Sequence, residues 1–400
     1  MIDLNVWFLK LSGLWCILKS TKIARKYVIS AAFIIIPCQG IYLPMECYKL
    51  ITGYENFQRT LELLGFALTH ILATTKIINL YVNRKEICQI IEDLNSYYIM
   101  SDHTAAEECK RLKQRFYKKT YRLGILLFVL GNCAGLIRFG ISAFHLVFCT
   151  DDTKYEELCR TMQPFLIPLP EFLDMIFLRW VLCVFQGICL NLYAWQIVAC
   201  DMLFVSLLVH IDCVTHILCY LFETVTERSM SHRNTISDKD SGQQLNSRMN
   251  KEINMATYRL QRLITTCEKT SNVYQYVVLM QLVFALFTLM SSLYVATSVP
   301  IFGASFIYQL EFYVTIVTQL SLYCWFANEI TISFGQIPKA IYNNNWMSGD
   351  QSFKKSMIIN TIRMNKPIYL VIGMVAPLNL NVCIYILRAS YSYFAIIKNK

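Results

Sequence analysis

Near the C-terminus, Ala389, Ser392, Ile396 and Asn399 recur at spacings of 3, 4 and 3, which places them on one stripe of a helix. The stripe is small or polar, with one branched apolar member. Two roles suit it. An apolar ring can close an ion path by dewetting while polar neighbours hydrate ions. Small residues also let helices approach closely. These residues alone leave both roles open. A second set is ionisable. Arg138, Glu311, Arg179 and His70 fall inside apolar runs, roughly 6–15 Å from a run's end at 1.5 Å per residue. Buried charges must pair, and an Arg138–Glu311 bridge is the expected pairing. Arg179 or a neutral His70 is then available to a polar ligand group, unless the whole set is structural. Arg388, far from either end of the last run, needs water or an acidic partner.

Other chemistries are not encoded. The chain has 16 cysteines and 6 histidines, but no C-x-x-C pair and no ligand cluster, so neither a metal nor another cofactor is expected. No nucleophile and base with an orienting third group can be read, so the chain is not expected to be an enzyme. Cys149 and Cys159 alone fall where oxidation is plausible, and a bridge or two thiols both fit the spacing. The net charge of +10 is spread over separate segments, which argues against nucleic acid as a partner.

The elements that carry these residues are membrane helices. Apolar residues make up 55% of the 400 and charged residues 16%, too apolar for a typical soluble domain and too weakly charged for a disordered one. Crossing the hydrocarbon takes about 20 apolar residues. Seven runs qualify: Tyr27–Tyr48, Leu61–Val82, Leu123–Phe148, Met175–Leu208, Val273–Val299, Phe306–Ile332 and Asn379–Lys400. The fold class expected is all-α, a polytopic membrane protein with seven transmembrane helices. Basic residues concentrate before the first run and within 84–119, 228–269 and 339–366; the other side holds Arg59, Lys154, Arg160, Lys398 and Lys400. Basic loops stay cytoplasmic, so the N-terminus is expected inside and the C-terminus outside. That is the reverse of a G-protein-coupled receptor. A secondary transporter would show internal repeats, and none is found.

The resulting organisation is a cytoplasmic segment 1–26 with an interfacial helix, then membrane helices one to four over 27–208 with an acidic, proline-bearing outer loop at 149–174. Cytoplasmic helical extensions follow at 209–272, including a polar loop at 228–251 expected to be disordered. Helices five and six span 273–332, a cytoplasmic helix and link 333–378, and the last helix 379–400. The extensions of the fourth, fifth and sixth runs predict a helical anchor bundle below the bilayer.

The stretch Tyr323-Cys324-Trp325-Phe326-Ala327-Asn328-Glu329-Ile330-Thr331, followed by Ala340-Ile341-Tyr342 and Trp346, resembles the sixth-helix signature of the insect odorant receptors. The terminal Ile386-Leu387-Arg388-Ala389-Ser390-Tyr391-Ser392-Tyr393-Phe394 resembles that family's last-helix signature. Ala327 stands where glycine is the commoner residue, and the ending differs from the Thr-Tyr…Gln-Phe pattern of the gustatory receptors. The resemblance implies a tuning subunit of an odorant-gated, non-selective cation channel. Such a subunit joins the odorant receptor co-receptor, Orco, in a heterotetramer in the plasma membrane of olfactory neurons. It also implies a pore lined by the last helix, with its gate at Ile396, Asn399 outside it and Ser392 below. It implies a pocket for a small volatile ligand in the outer half of the bundle. By depth, the candidates are Phe66, His70, Phe139, Ser142, Leu146, Phe177, Val181, Tyr308, Phe312 and Tyr313. The competing readings are a gustatory-like channel, a G-protein-coupled receptor or a transporter.

Overall fold

A computed structural model of the chain describes residues 2–15, 25–52, 57–98, 103–147, 176–231, 241–301, 303–373 and 376–398. It is a helical bundle. Helix α1 (Ile2–Leu11) is followed by α2 (Arg25–Ile35), a π-helical segment Ile36–Tyr42, α3 (Leu43–Thr52), α4 (Phe57–Val82), α5 (Arg84–Ser96) and α6 (His103–Val147). Then come α7 (Ile176–Glu223), α8 (Val225–Ser231), α9 (Ser241–Ser298), α10 (Ala304–Asn343), α11 (Gln351–Met364), two short strands and α12 (Leu380–Lys398).

Among the described residues, six helical stretches are long and apolar enough to cross a bilayer: Ala31–Thr52, Phe57–Val82, Ala105–Phe144, Phe177–Glu223, Gly242–Ser298 and Leu380–Lys398. The run Phe306–Ile332, expected as the sixth span, does form a helix, but α10 is not among the six. Gln309, Glu311, Thr315, Thr318 and Gln319 dilute its apolar face. The reason lies in its position. It packs against α6, α7, α9 and α12, so its polar groups meet protein as well as lipid.

Helix α7 has 48 residues, roughly 72 Å at 1.5 Å per residue, more than twice a hydrocarbon core. It is one continuous helix, as are α9 with 58 residues and α10 with 40, the last carrying Pro338 near its end. Their far ends build a large apolar core from Leu203–Phe222, Ile253–Cys267 and Phe326–Ile341. That core corresponds to the expected anchor bundle. The segment 228–251, expected to be disordered, is helical at both ends. Arg228 extends α8 toward α9 through an ion pair with Glu252 at 2.7 Å, and Asn250 donates to Asp350 at 2.9 Å. Its middle, 232–240, lies outside the described residues. Helix α11 starts where Asp350 accepts the Phe353 backbone N–H at 2.8 Å. That bond to the ionised form holds the Asp350 carboxyl below its usual range.

The link before α12 is a small antiparallel ladder. Val371 pairs with Pro377 and Ile372 with Ala376. It is tied to α9, since Val371 N–H donates to Ser271 Oγ at 2.9 Å and Gly373 N–H to the Gln275 carbonyl at 3.3 Å. Gly373 has φ +50°, and a Cβ there would fall 2.7 Å from Leu279 Cδ2. Only glycine relieves both constraints. Helix α12 then packs its Cys383, Ile386, Leu387 and Ser390 side on the bundle, while Tyr385, Tyr391, Tyr393 and Ile396 are exposed.

Candidate functional site

A cavity of about 90 Å³ sits inside the bundle between α4, α6, α7 and α10. Its existence follows from small side chains at helical spacing. On α6 the wall is Leu127, Gly131, Ala134, Gly135 and Arg138; on α7 it is Leu190, Tyr193, Ala194, Ile197, Val198 and Asp201. Both series advance by steps of one, three or four residues, so each is one face of its helix. Gly131 faces Ala194 and Val198, and Gly131, Ala134 and Gly135 add almost no side-chain volume to this wall, so the space stays open. The neighbouring Gly135 backbone lies so close to Asn191 that an added Cβ would sit 2.9 Å from Asn191 Oδ1.

Aromatic rings line the opposite wall. Phe66 lies 5.1 Å from Phe312 and 6.0 Å from Tyr308, and His70 stacks on Tyr193 at 4.1 Å. Every charge at the cavity is paired. His70 Nδ1 is 2.6 Å from Glu46 Oε2, both buried. Arg138 Nη1 is 2.9 Å from Glu62 Oε1, and its guanidinium covers the Tyr308 ring. At the inner end Asp201 accepts from Lys76 Nζ, from Gln319 Nε2 and from Tyr323 O–H at 2.6 Å. Gln281 on α9 extends this network by donating to Gln319 at 3.3 Å. With its charges paired, the wall offers mainly rings and methyl groups, with Thr69 and Thr315 as the small hydroxyls on it.

Of the candidates read from sequence, Phe66, His70, Tyr308 and Phe312 line this cavity, and so does Arg138. Others stand elsewhere. Phe177 and Val181 are 74% and 45% exposed. Val181 precedes Leu190 by about two and a half turns, so it faces away from the cavity wall on the same helix. Tyr313, next to Phe312, turns off that face and packs in the flanking aromatic cluster. Ser142 is buried one turn beyond Arg138, away from the lining residues. Phe139 lies across Gly187, where any Cβ would overlap its ring. Gly187→Ala is therefore expected to cost about 1–3 kcal/mol by overpacking, readable as a lower melting temperature of the detergent-solubilised protein. The side chain of Leu146, and the whole of Cys149, Cys159 and Asn399, lie outside the described residues. Ser392 and Ile396 are exposed on α12, and Arg388 is exposed too.

The expected Arg138–Glu311 bridge is replaced by Arg138–Glu62. Glu311 sits on the flank of the inward face of α10, and its Oε1 accepts from Thr315 at 2.9 Å. Glu62 is one turn before Phe66 and points to the same end of the cavity, where Gln309 also donates to it at 3.2 Å. A double-mutant cycle is expected to find coupling between Arg138→Gln and Glu62→Gln of about 1 kcal/mol or more, and none between Arg138→Gln and Glu311→Gln. Equal coupling to both acids, measured by thermal melting, would reject this pairing. Sequence reasoning missed Lys76, Asp201, Glu46 and Glu62. The available signal was a lysine and an aspartate inside apolar runs, where an ionisable group is costly.

Long apolar helices of this kind mark a polytopic membrane protein. A family model described as the 7tm odorant receptor matches residues 56–391, and the chain belongs to the insect odorant receptor family. It is therefore a multi-pass membrane protein of olfaction and not an enzyme. Odorant receptor 94a of Drosophila melanogaster is 21% identical over 86% of this chain and 82% of its own length. Odorant receptor 10 of Aedes albopictus is 32% identical over a shorter stretch, 21% of this chain and 22% of the relative. The solved olfactory receptor OR5 of Machilis hrabei superposes with a TM-score of 0.78 at 12% identity, covering 99% of this chain and 97% of that one. The same receptor has been solved in complex with eugenol, with a TM-score of 0.78 at 11% identity over 100% and 97% of the two chains.

Proposed function

We propose that this chain is the tuning subunit of an odorant-gated cation channel, assembling with Orco in a heterotetramer. Its N-terminus is cytoplasmic, its C-terminus is extracellular, and the sensory-neuron plasma membrane is its site. The observation that carries the reading is the apolar cavity inside the bundle, whose charges are all paired internally, so that it suits a small neutral organic molecule. The eugenol complex of the Machilis receptor supports a ligand of that kind.

Opening requires the ligand to prefer the open state, and the shift equals that preference. Phe312, Thr315, Ile316 and Gln319 share one face of α10, so a ligand repacking them acts on this helix directly. Helix α10 packs on α12. Ser321 Oγ on α10 lies 3.7 Å from Cys383 Sγ on α12. Displacement of α10 would thus move the helix that carries Ser392, Ile396 and Asn399. The exposed side of α12, with Ile396 57% exposed, fits a surface shared with other subunits around a pore. A ring of Ile396 side chains would close it by dewetting.

Whole-cell recording tests the reading. Co-expression with Orco should give odorant-evoked cation current without added GTP. Surface-expressed receptor that stays silent to a broad odour panel would count against it.

A further inference from the structure

A second concavity lies at the other end of α6, unconnected with the ligand cavity. It is an open cleft of about 600 Å³ between α6, α7 and α10. Its α6 edge carries Arg115, Lys118, Lys119 and Arg122, at spacings of 3, 1 and 3, which is a single face of the helix. All four are exposed. Lys119 Nζ lies 4.9 Å over the Phe326 ring, and none of the four has a carboxylate within 4 Å among the described residues. The opposite edge has three further titratable groups. Asp212 is buried and accepts from Ser333 Oγ, His216 Nε2 lies 3.6 Å from Asp212 Oδ1, and Glu329 is half-buried and makes no ion pair among the described residues. Leu112, Phe116 and Leu123 supply the apolar part of the lining.

Four like charges on one helix face, with no carboxylate partner among the described residues, concentrate positive potential in the cleft, which favours an anion there. The height of the row in the fold says which anion. Arg122 is immediately followed by Leu123, where the apolar stretch of α6 begins. The basic edge therefore lies at the level of lipid headgroups, and the apolar lining at the level where acyl chains start.

We propose that this cleft is a binding site for the phosphate-bearing headgroup of an anionic phospholipid. Arg115, Lys118, Lys119 and Arg122 receive the phosphate oxygens, Arg115 and Arg122 as forked donors and the two lysines as point charges. Leu123 and Phe116 contact the glycerol and upper chain. Glu329 limits how deep a phosphate enters. The proposal does not depend on odorant gating.

The probe is short-chain phosphatidylinositol bisphosphate, titrated against the full-length receptor in phosphatidylcholine nanodiscs. Binding is expected at least about tenfold tighter than for short-chain phosphatidylcholine. The Arg115→Gln/Arg122→Gln receptor should weaken it by about 25-fold, roughly fivefold for each cation removed near a membrane surface. Glu329→Gln should tighten it, which supplies an opposite-signed readout should the double variant not fold. Soluble inositol trisphosphate should compete poorly. Competition as effective as the lipid's would overturn the lipid as the source of the phosphate. Undiminished binding by the double variant, or equal binding of phosphatidylcholine, would overturn the site itself.

Discussion

Asp201→Ala is expected to keep the receptor from reaching the cell surface. The carboxylate is 1% exposed and is the common acceptor for Lys76, Gln319 and Tyr323. Removing it strands the Lys76 ammonium, itself 4% exposed, in the middle of the bundle. Breaking a buried ion pair from one side typically costs about 3–5 kcal/mol, much of it the penalty of the orphaned charge. That is a large share of a total stability of about 5–15 kcal/mol. The same account predicts a rescue. Lys76→Met combined with Asp201→Asn removes both charges and keeps a polar partner for Tyr323 and Gln319, so surface labelling should return toward the native level. Normal labelling of the single alanine variant would show that the network carries little of the fold.

Ala134→Phe should do the opposite, reaching the surface normally while responding to no odorant. Ala134 faces the open space between α6 and α7, and a phenyl group there would take up the volume a ligand needs. A cavity of about 90 Å³ is of the order of engineered apolar cavities that accept a single benzene. Because the ring enters existing space, its packing cost stays at or below the ~1–3 kcal/mol typical of overpacking. A loss of sensitivity of about 100-fold or more is expected across the odour panel, with surface labelling unchanged. An unshifted dose–response curve would place the ligand elsewhere.

The family and the long helices were legible in the sequence because they depend on local signals: run length, basic-residue placement and the signature around Asn328-Glu329. Phe66, His70, Tyr308 and Phe312, named from depth and aromatic character, all line the cavity. Phe177 and Val181, named the same way, do not line it, because depth says nothing about rotation and their side of α7 faces outward. The Arg138 partner failed for a related reason. Sequence established that a carboxylate must be near, but the choice between Glu62 and Glu311 depends on how α4 and α10 are rotated. The small residues Gly131, Ala134, Gly135 and Ala194 escaped notice because a cavity wall of this kind is written in missing atoms. Helix α10 is only weakly marked by apolarity because Gln309, Glu311 and Gln319 on it meet protein in the bundle.

The continuous helices impose a mechanical ratio on whatever happens at the cavity. From Gln319, where α10 joins the Asp201 network, to Ile337, just before Pro338, is roughly 27 Å at 1.5 Å per residue. A swing of about 5° pivoting at Gln319 would carry that point through about 2 Å, by the same helical rise. Shifts at the ligand too slight to break any contact are thus multiplied at the far end by leverage alone.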